Sequence, residues 1–148
     1  MMYEPLTILL IEDERAHAEL TARAIRKAGN VNRVIVIDNG EDALDYLFNR
    51  GDYEDKAKYP KPGLILLDIK LPGTDGIEVL KLIKKDQSLR KIPVVMLTTS
   101  DREEDIAQSY CHYANSYLTK PIDFKAFEEK IRQLDFYWML INEPPVIE

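Results

Sequence analysis

The sequence predicts an α/β fold: a doubly wound, five-stranded parallel sheet with helices on both faces. Three observations predict it. Short apolar runs alternate with amphipathic stretches, a βα order repeated five times. Two of the runs, Leu64–Leu67 and Pro93–Leu97, are apolar at every residue, the pattern of strands covered on both faces. Right-handed crossovers then restrict parallel strands in this order to a doubly wound sheet.

The first run, Leu6–Ile11, ends in the acids Glu12 and Asp13. Glu14–Ala28 reads as a helix with Leu20, Ala24 and Ile25 on one face and Gly29 as its stop. Val31–Ile37 is rich in β-branched residues and reads as a strand. Asp38 or Asn39 can cap the next helix, Glu41–Phe48, whose apolar positions are Ala43, Leu44, Leu47 and Phe48. Arg50–Pro62 is polar, holds Gly51, Pro60 and Pro62, and reads as a loop.

After the strand Leu64–Leu67, Ile77, Leu80 and Ile83 recur at helical spacing within Thr74–Lys85. Pro93–Leu97 is the fourth strand, and Asp101–Tyr113 is a very polar helix. Ser116–Thr119 is a short strand, followed by a long final helix over Asp123–Leu140. Residues 1–140 are expected to form one domain, because 148 residues suit one buried core. Pro144 and Pro145 make 141–148 an irregular tail, and no output domain is expected after it.

Composition narrows the function. The net charge of −6 argues against a nucleic-acid footprint. One cysteine, Cys111, excludes an internal disulfide framework and fits a reducing cytoplasm. No apolar run reaches the ~18 residues needed to cross a membrane, and Met1–Thr7 lacks the pattern of a signal peptide.

In a doubly wound sheet, ligands bind outside the carboxyl ends of the strands. Glu12 and Asp13 follow the first strand, Asp68 the third, Thr98 and Thr99 the fourth, and Lys120 comes just after the fifth. Three clustered carboxylates repel one another, and a hard divalent cation removes the conflict. Mg²⁺ suits such oxygen ligands, and no Cys/His cluster exists for zinc. An aspartate is an accepted covalent nucleophile for phosphoryl transfer. Lys120 and the Thr98 hydroxyl could then neutralise and hydrogen-bond a phosphoryl group on Asp68.

The motifs Ile8-Leu9-Leu10-Ile11-Glu12-Asp13, Leu66-Leu67-Asp68-Ile69-Lys70-Leu71-Pro72, Asp75-Gly76, Pro93-Val94-Val95-Met96-Leu97-Thr98 and Tyr117-Leu118-Thr119-Lys120-Pro121 lie along most of the chain. With them the sequence resembles the CheY-like response regulator receiver domains of two-component signalling. The resemblance implies a flavodoxin-like (βα)5 sheet in the order 2-1-3-4-5, an order that the family supplies. It implies Asp68 as phosphoacceptor and Glu12, Asp13, Asp68 and the Lys70 backbone carbonyl as ligands of Mg²⁺. Thr98 and Lys120 would contact the phosphoryl group, Thr98 and Tyr117 would form the switch, and Pro121 would follow a cis peptide bond. The domain would catalyse its own phosphorylation and dephosphorylation and no other reaction.

The long Arg50–Pro62 segment, the Thr98-Thr99-Ser100 run and the aromatic Phe136-Tyr137-Trp138 are similar to the small response regulators paired with bacterial phytochrome kinases. A sensor histidine kinase, of phytochrome type, is therefore the expected donor. Lys70 departs from many relatives and is expected to alter the lifetime of the phosphorylated state. Thr99 is bulkier than the Ala or Gly common at its position and is expected to narrow access to Asp68. Receivers of this family signal through the face of the fourth helix, fifth strand and fifth helix, here with Tyr110, Tyr113, Tyr117, Phe124 and Phe127. A homodimer through that face or the C-terminal extension is expected. The alternative is an unphosphorylated receiver fold acting as a constitutive interaction module. A dehalogenase-type phosphatase would need a second Asp where Lys70 stands. A flavin site would suffer repulsion from Glu12-Asp13-Glu14.

Overall fold

The computed structural model describes residues 6–28, 31–99, 114, 116–120 and 122–133. Its elements are β1 (Leu6–Ile11), α1 (Arg15–Ala28), β2 (Val31–Ile37), α2 (Gly40–Leu47), a 3-10 turn (Gly51–Tyr53), β3 (Leu64–Asp68), α3 (Gly76–Lys85), β4 (Val94–Thr98), β5 (Ser116–Thr119) and α4 (Phe124–Gln133). All strand pairs are parallel, in the order β2-β1-β3-β4-β5. The expected helix Asp101–Tyr113, Cys111, Pro121 and residues 134–148 lie outside the described residues.

Alternation along the strands feeds two cores. Ile8, Leu10, Leu64, Leu66, Val95 and Leu97 face one way and meet Ala18 and Ile25 of α1 and Phe127 of α4. Leu9, Ile11, Ile65, Leu67, Val94 and Met96 face the other way and meet Leu44 of α2 and Val79, Leu80 and Ile83 of α3. The strands β3 and β4 are buried at every residue, as their uninterrupted apolar runs require.

Local chemistry corrects several expectations. Leu20 is 46% exposed, while Ala18, Thr21, Ala22 and Ile25 form the buried stripe of α1. Two positions beyond Ala18 lie about 200° around a helix, so Leu20 points away from that stripe. Of the two candidate caps of α2, Asn39 is the one used: its side chain accepts the Asp42 N–H at 2.7 Å. The helix α3 starts at Gly76 rather than Thr74, because Asp75 is its cap and accepts the Glu78 N–H at 2.9 Å. The fourth strand is Val94–Thr98 rather than Pro93–Leu97, so Thr98 itself belongs to the ladder.

The Arg50–Pro62 segment, read as a loop, is folded around three tyrosines. The rings of Tyr46, Tyr53 and Tyr59 stand 5.0–5.8 Å apart. The Tyr46 hydroxyl donates to the Pro60 carbonyl at 2.7 Å. Asn49, at φ 52°, donates its amide to the carbonyls of Tyr53 and Tyr59. Arg33 of the edge strand β2 donates to the Lys58 carbonyl, which ties the segment to that edge.

Candidate functional site

The strand order sets β1 and β3 side by side at the centre of the sheet. Their carboxyl ends therefore bring Glu12, Asp13 and Asp68 together. One carboxylate oxygen from each lies within 4.8 Å of the others. Glu12 and Asp68 are buried, at 1% and 4% exposure, whereas Asp13 is exposed. The set is thus two enclosed carboxylates and one that faces solvent.

Lys120 follows β5 and reaches across the sheet. Its backbone N–H donates to the Thr98 carbonyl at 2.7 Å, which fixes the turn beyond the last strand. Its buried ammonium sits between the two enclosed acids, 2.6 Å from Glu12 Oε1 and 3.0 Å from Asp68 Oδ2. The sequence placed Lys120 near Asp68; it gave no sign that the same ammonium bridges Glu12. Glutamate is one methylene longer than aspartate, and that length is visible only once both partners are in place.

Backbone donors complete the pocket. Glu14 N–H donates to Glu12 Oε2 at 3.1 Å and Lys70 N–H to Asp68 Oδ1 at 3.2 Å. A Cβ on Gly76 would collide with the Asp68 carbonyl oxygen, so glycine lets α3 begin directly against the end of β3. Thr98 is buried beside this pocket at the end of β4. Tyr117 is half-buried on β5 and packs against the core shared with α2 and α3. Thr99 and the Lys70 side chain are exposed.

The acids divide their proton unequally. Burial and the neighbouring Glu12 carboxylate push Asp68 up to about 7, against the opposing pull of Lys120. Burial also works against the charge on Glu12. Its hydrogen bonds to Lys120, Asp68 and the Glu14 backbone outweigh that and hold it below the ordinary carboxylate range. The shorter contact to Lys120 makes Glu12 the acid that keeps its charge. Without a cation the pocket is therefore poised to hold one proton that a divalent ion would displace. Three oxygen donors of mixed exposure, with open coordination toward solvent at Asp13, fit Mg²⁺.

A groove of about 840 Å³ leads away from the acids between α1 and the edge strand β2. Asp13, Arg15, Arg23, Val36 and Tyr53 are among its walls.

Known proteins share this sequence pattern and fold. The family model for the response regulator receiver domain matches residues 8–132. The "Probable methanogenesis regulatory protein FilR2" of Methanothrix harundinacea is 39% identical over 142 residues, covering 96% of this chain and 89% of that protein. Response regulator Rcp1 of Synechocystis sp. is 38% identical over 135 residues, covering 91% and 90%. The solved structure of the bacteriophytochrome response regulator RtBRR superposes with a TM-score of 0.83 at 43% identity, covering 96% of this chain and 85% of that one. The Mn²⁺-bound form of Rcp1 superposes with a TM-score of 0.75 at 36% identity, covering 97% and 99%.

Proposed function

The chain belongs to the response regulator receiver family, and we propose that its Asp68 accepts a phosphoryl group from a sensor histidine kinase in a Mg²⁺-dependent reaction. The observation that carries this reading is the convergence of Glu12, Asp13 and Asp68 beside the buried Lys120 ammonium. Asp68 is the acid at the sheet's centre, and Glu12 and Asp13 are the remaining metal ligands with the Lys70 carbonyl. The Mn²⁺-bound Rcp1 relative supports a divalent cation here. Bound there, Mg²⁺ would offset the charge of the phosphoryl oxygens.

In the transfer, a carboxylate oxygen of Asp68 forms a bond to phosphorus while the phosphorus–nitrogen bond of the donor imidazole breaks. The electron pair stays with nitrogen. Asp68 must be ionised to attack, so its proton leaves first. Lys120 then stands within reach to share its charge between Glu12 and the new phosphoryl group. The Thr98 hydroxyl supplies a further hydrogen bond, and its movement toward the phosphoryl group frees space for Tyr117 to turn inward. That inward turn changes the surface presented to partners, so the product is a switched contact and no external substrate is consumed.

The donor is proposed to be a phytochrome-type kinase, which the RtBRR relative supports by its description. The FilR2 relative is named for methanogenesis rather than for a phytochrome, so transfer from a red-light photoreceptor kinase is the measurement that decides. A homodimer through the face of the fourth helix, fifth strand and fifth helix, or through the C-terminal extension, is proposed as the output. Sedimentation that shows monomer alone, with and without a phosphoryl mimic, would overturn it.

Incubation with acetyl phosphate tests the central reading. The expected result is the mass gain of one phosphoryl group that needs Mg²⁺ and disappears in Asp68→Asn. Failure of both acetyl phosphate and a cognate kinase would sink it and favour a constitutive interaction module.

A further inference from the structure

The loop that follows Asp68, residues 69–75, carries the Lys70 carbonyl proposed as a metal ligand. Its ends are fixed by the elements it joins. Ile69 N–H donates to the Leu97 carbonyl at 3.0 Å, and Gly76 N–H donates to the Ile69 carbonyl at 2.9 Å. A further tie comes from α2, 33 positions earlier in the chain. Glu41 Oε2 accepts the Thr74 N–H at 3.2 Å and the Thr74 hydroxyl at 3.1 Å.

Two features show that this contact is built. Gly73 has φ +70°, a backbone conformation that favours glycine, and a Cβ there would stand 2.6 Å from Glu41 Oε2, so any larger residue would push the carboxylate out of its present place. Glu41 lies in the first turn of α2, where the positive end of the helix favours an anion. Asn39 holds that same turn from its other side through the Asp42 N–H.

We propose that Glu41 is a positioning residue for the divalent-metal site, latching the Asp68–Gly76 loop through Thr74 so that the Lys70 carbonyl is held ready for the cation. This inference rests on the metal site proposed above. The physical reason is one of ordering. If the loop is untied, metal binding must itself immobilise residues 70–74, and the cost appears as weaker affinity. A fixed loop has already lost that freedom on folding.

Calorimetric titration of the full chain with Mg²⁺ alone tests it. Glu41→Ala and Thr74→Val should each weaken Mg²⁺ binding by about three- to tenfold, the cost of ordering one side chain and its loop on binding. Thr74→Ser, which keeps the hydroxyl, should bind as the native chain does. The double variant Glu41→Ala/Thr74→Val should bind no more weakly than Glu41→Ala alone. In the metal-free protein, hydrogen exchange at the Thr74 and Lys70 amides should quicken together in Glu41→Ala. Native Mg²⁺ affinity in Glu41→Ala, whether or not the melting temperature falls, would overturn the latch. Absence of Mg²⁺ binding by the native chain would overturn the metal site itself and the latch with it.

Discussion

Asp68 is an acid whose environment works against its charge. Its carboxyl is raised to about 7, with burial as the main cause and Glu12 as the second. An unfolded aspartate releases its proton near pH ~4. Between those values the folded state binds the proton and the unfolded state does not. The stabilisation from this group is thus complete below about pH 4 and is lost as pH rises through about 7. Asp68→Asn should therefore melt at a higher temperature than the native chain at pH 8 without metal, and the gap should narrow at pH 5. Parallel melting temperatures across that range would show that Asp68 stays ionised in the folded protein. Mg²⁺ should reverse the effect at neutral pH and release protons as it binds, which calorimetry in buffers of different ionisation enthalpy measures. Lys84 is a half-buried cation of a different kind. It donates to the Arg90 and Ile92 carbonyls and pins the approach to β4, although in the sequence it is one more lysine at a helix end.

At the scale of elements, β3 and β4 were readable because a strand sealed on both faces has no polar position to obscure it. The first helix misled at Leu20, since a helix with alanines in its buried stripe leaves a lone leucine as the strongest apolar signal. Glu12, Asp13, Asp68, Thr98 and Lys120 were legible as residues after apolar runs. The burial difference between Glu12 and Asp13 was not, because neighbours in sequence point apart at a strand end. The Arg50–Pro62 segment was the least legible part. Its order comes from Tyr46 and Asn49, which lie before it and belong by pattern to α2 and its end. Tyr46→Phe should cost about 1 kcal/mol in denaturant unfolding by removing the hydroxyl bond to Pro60. Asn49→Ala should cost more, because alanine resists the positive φ and both amide bonds are lost. Protease cleavage within 51–62 should be faster in both, and unchanged cleavage would show that the tyrosines do not hold the segment.

The whole molecule is drawn together at one point. Lys120 and Glu12 are 108 positions apart, and Lys120 and Asp68 are 52 apart, yet one ammonium serves both acids. Among the described elements, Asp68 ends the third strand, while Glu12 and Lys120 directly follow the first and the fifth. A ligand bound there should stabilise the entire domain rather than one loop. At one hundred times its dissociation constant, Mg²⁺ should add ~2.7 kcal/mol to unfolding free energy. A melting temperature that does not respond to Mg²⁺ would exclude this coupling. The same sequence separation has a consequence during synthesis. The strand β1 is made first but lies between β2 and β3, so it must wait with one edge open until residues 64–68 have emerged. The pocket closes later still, when Lys120 arrives. The complete cluster of two acids and one ammonium therefore exists only in a chain that has been translated and folded through its fifth strand.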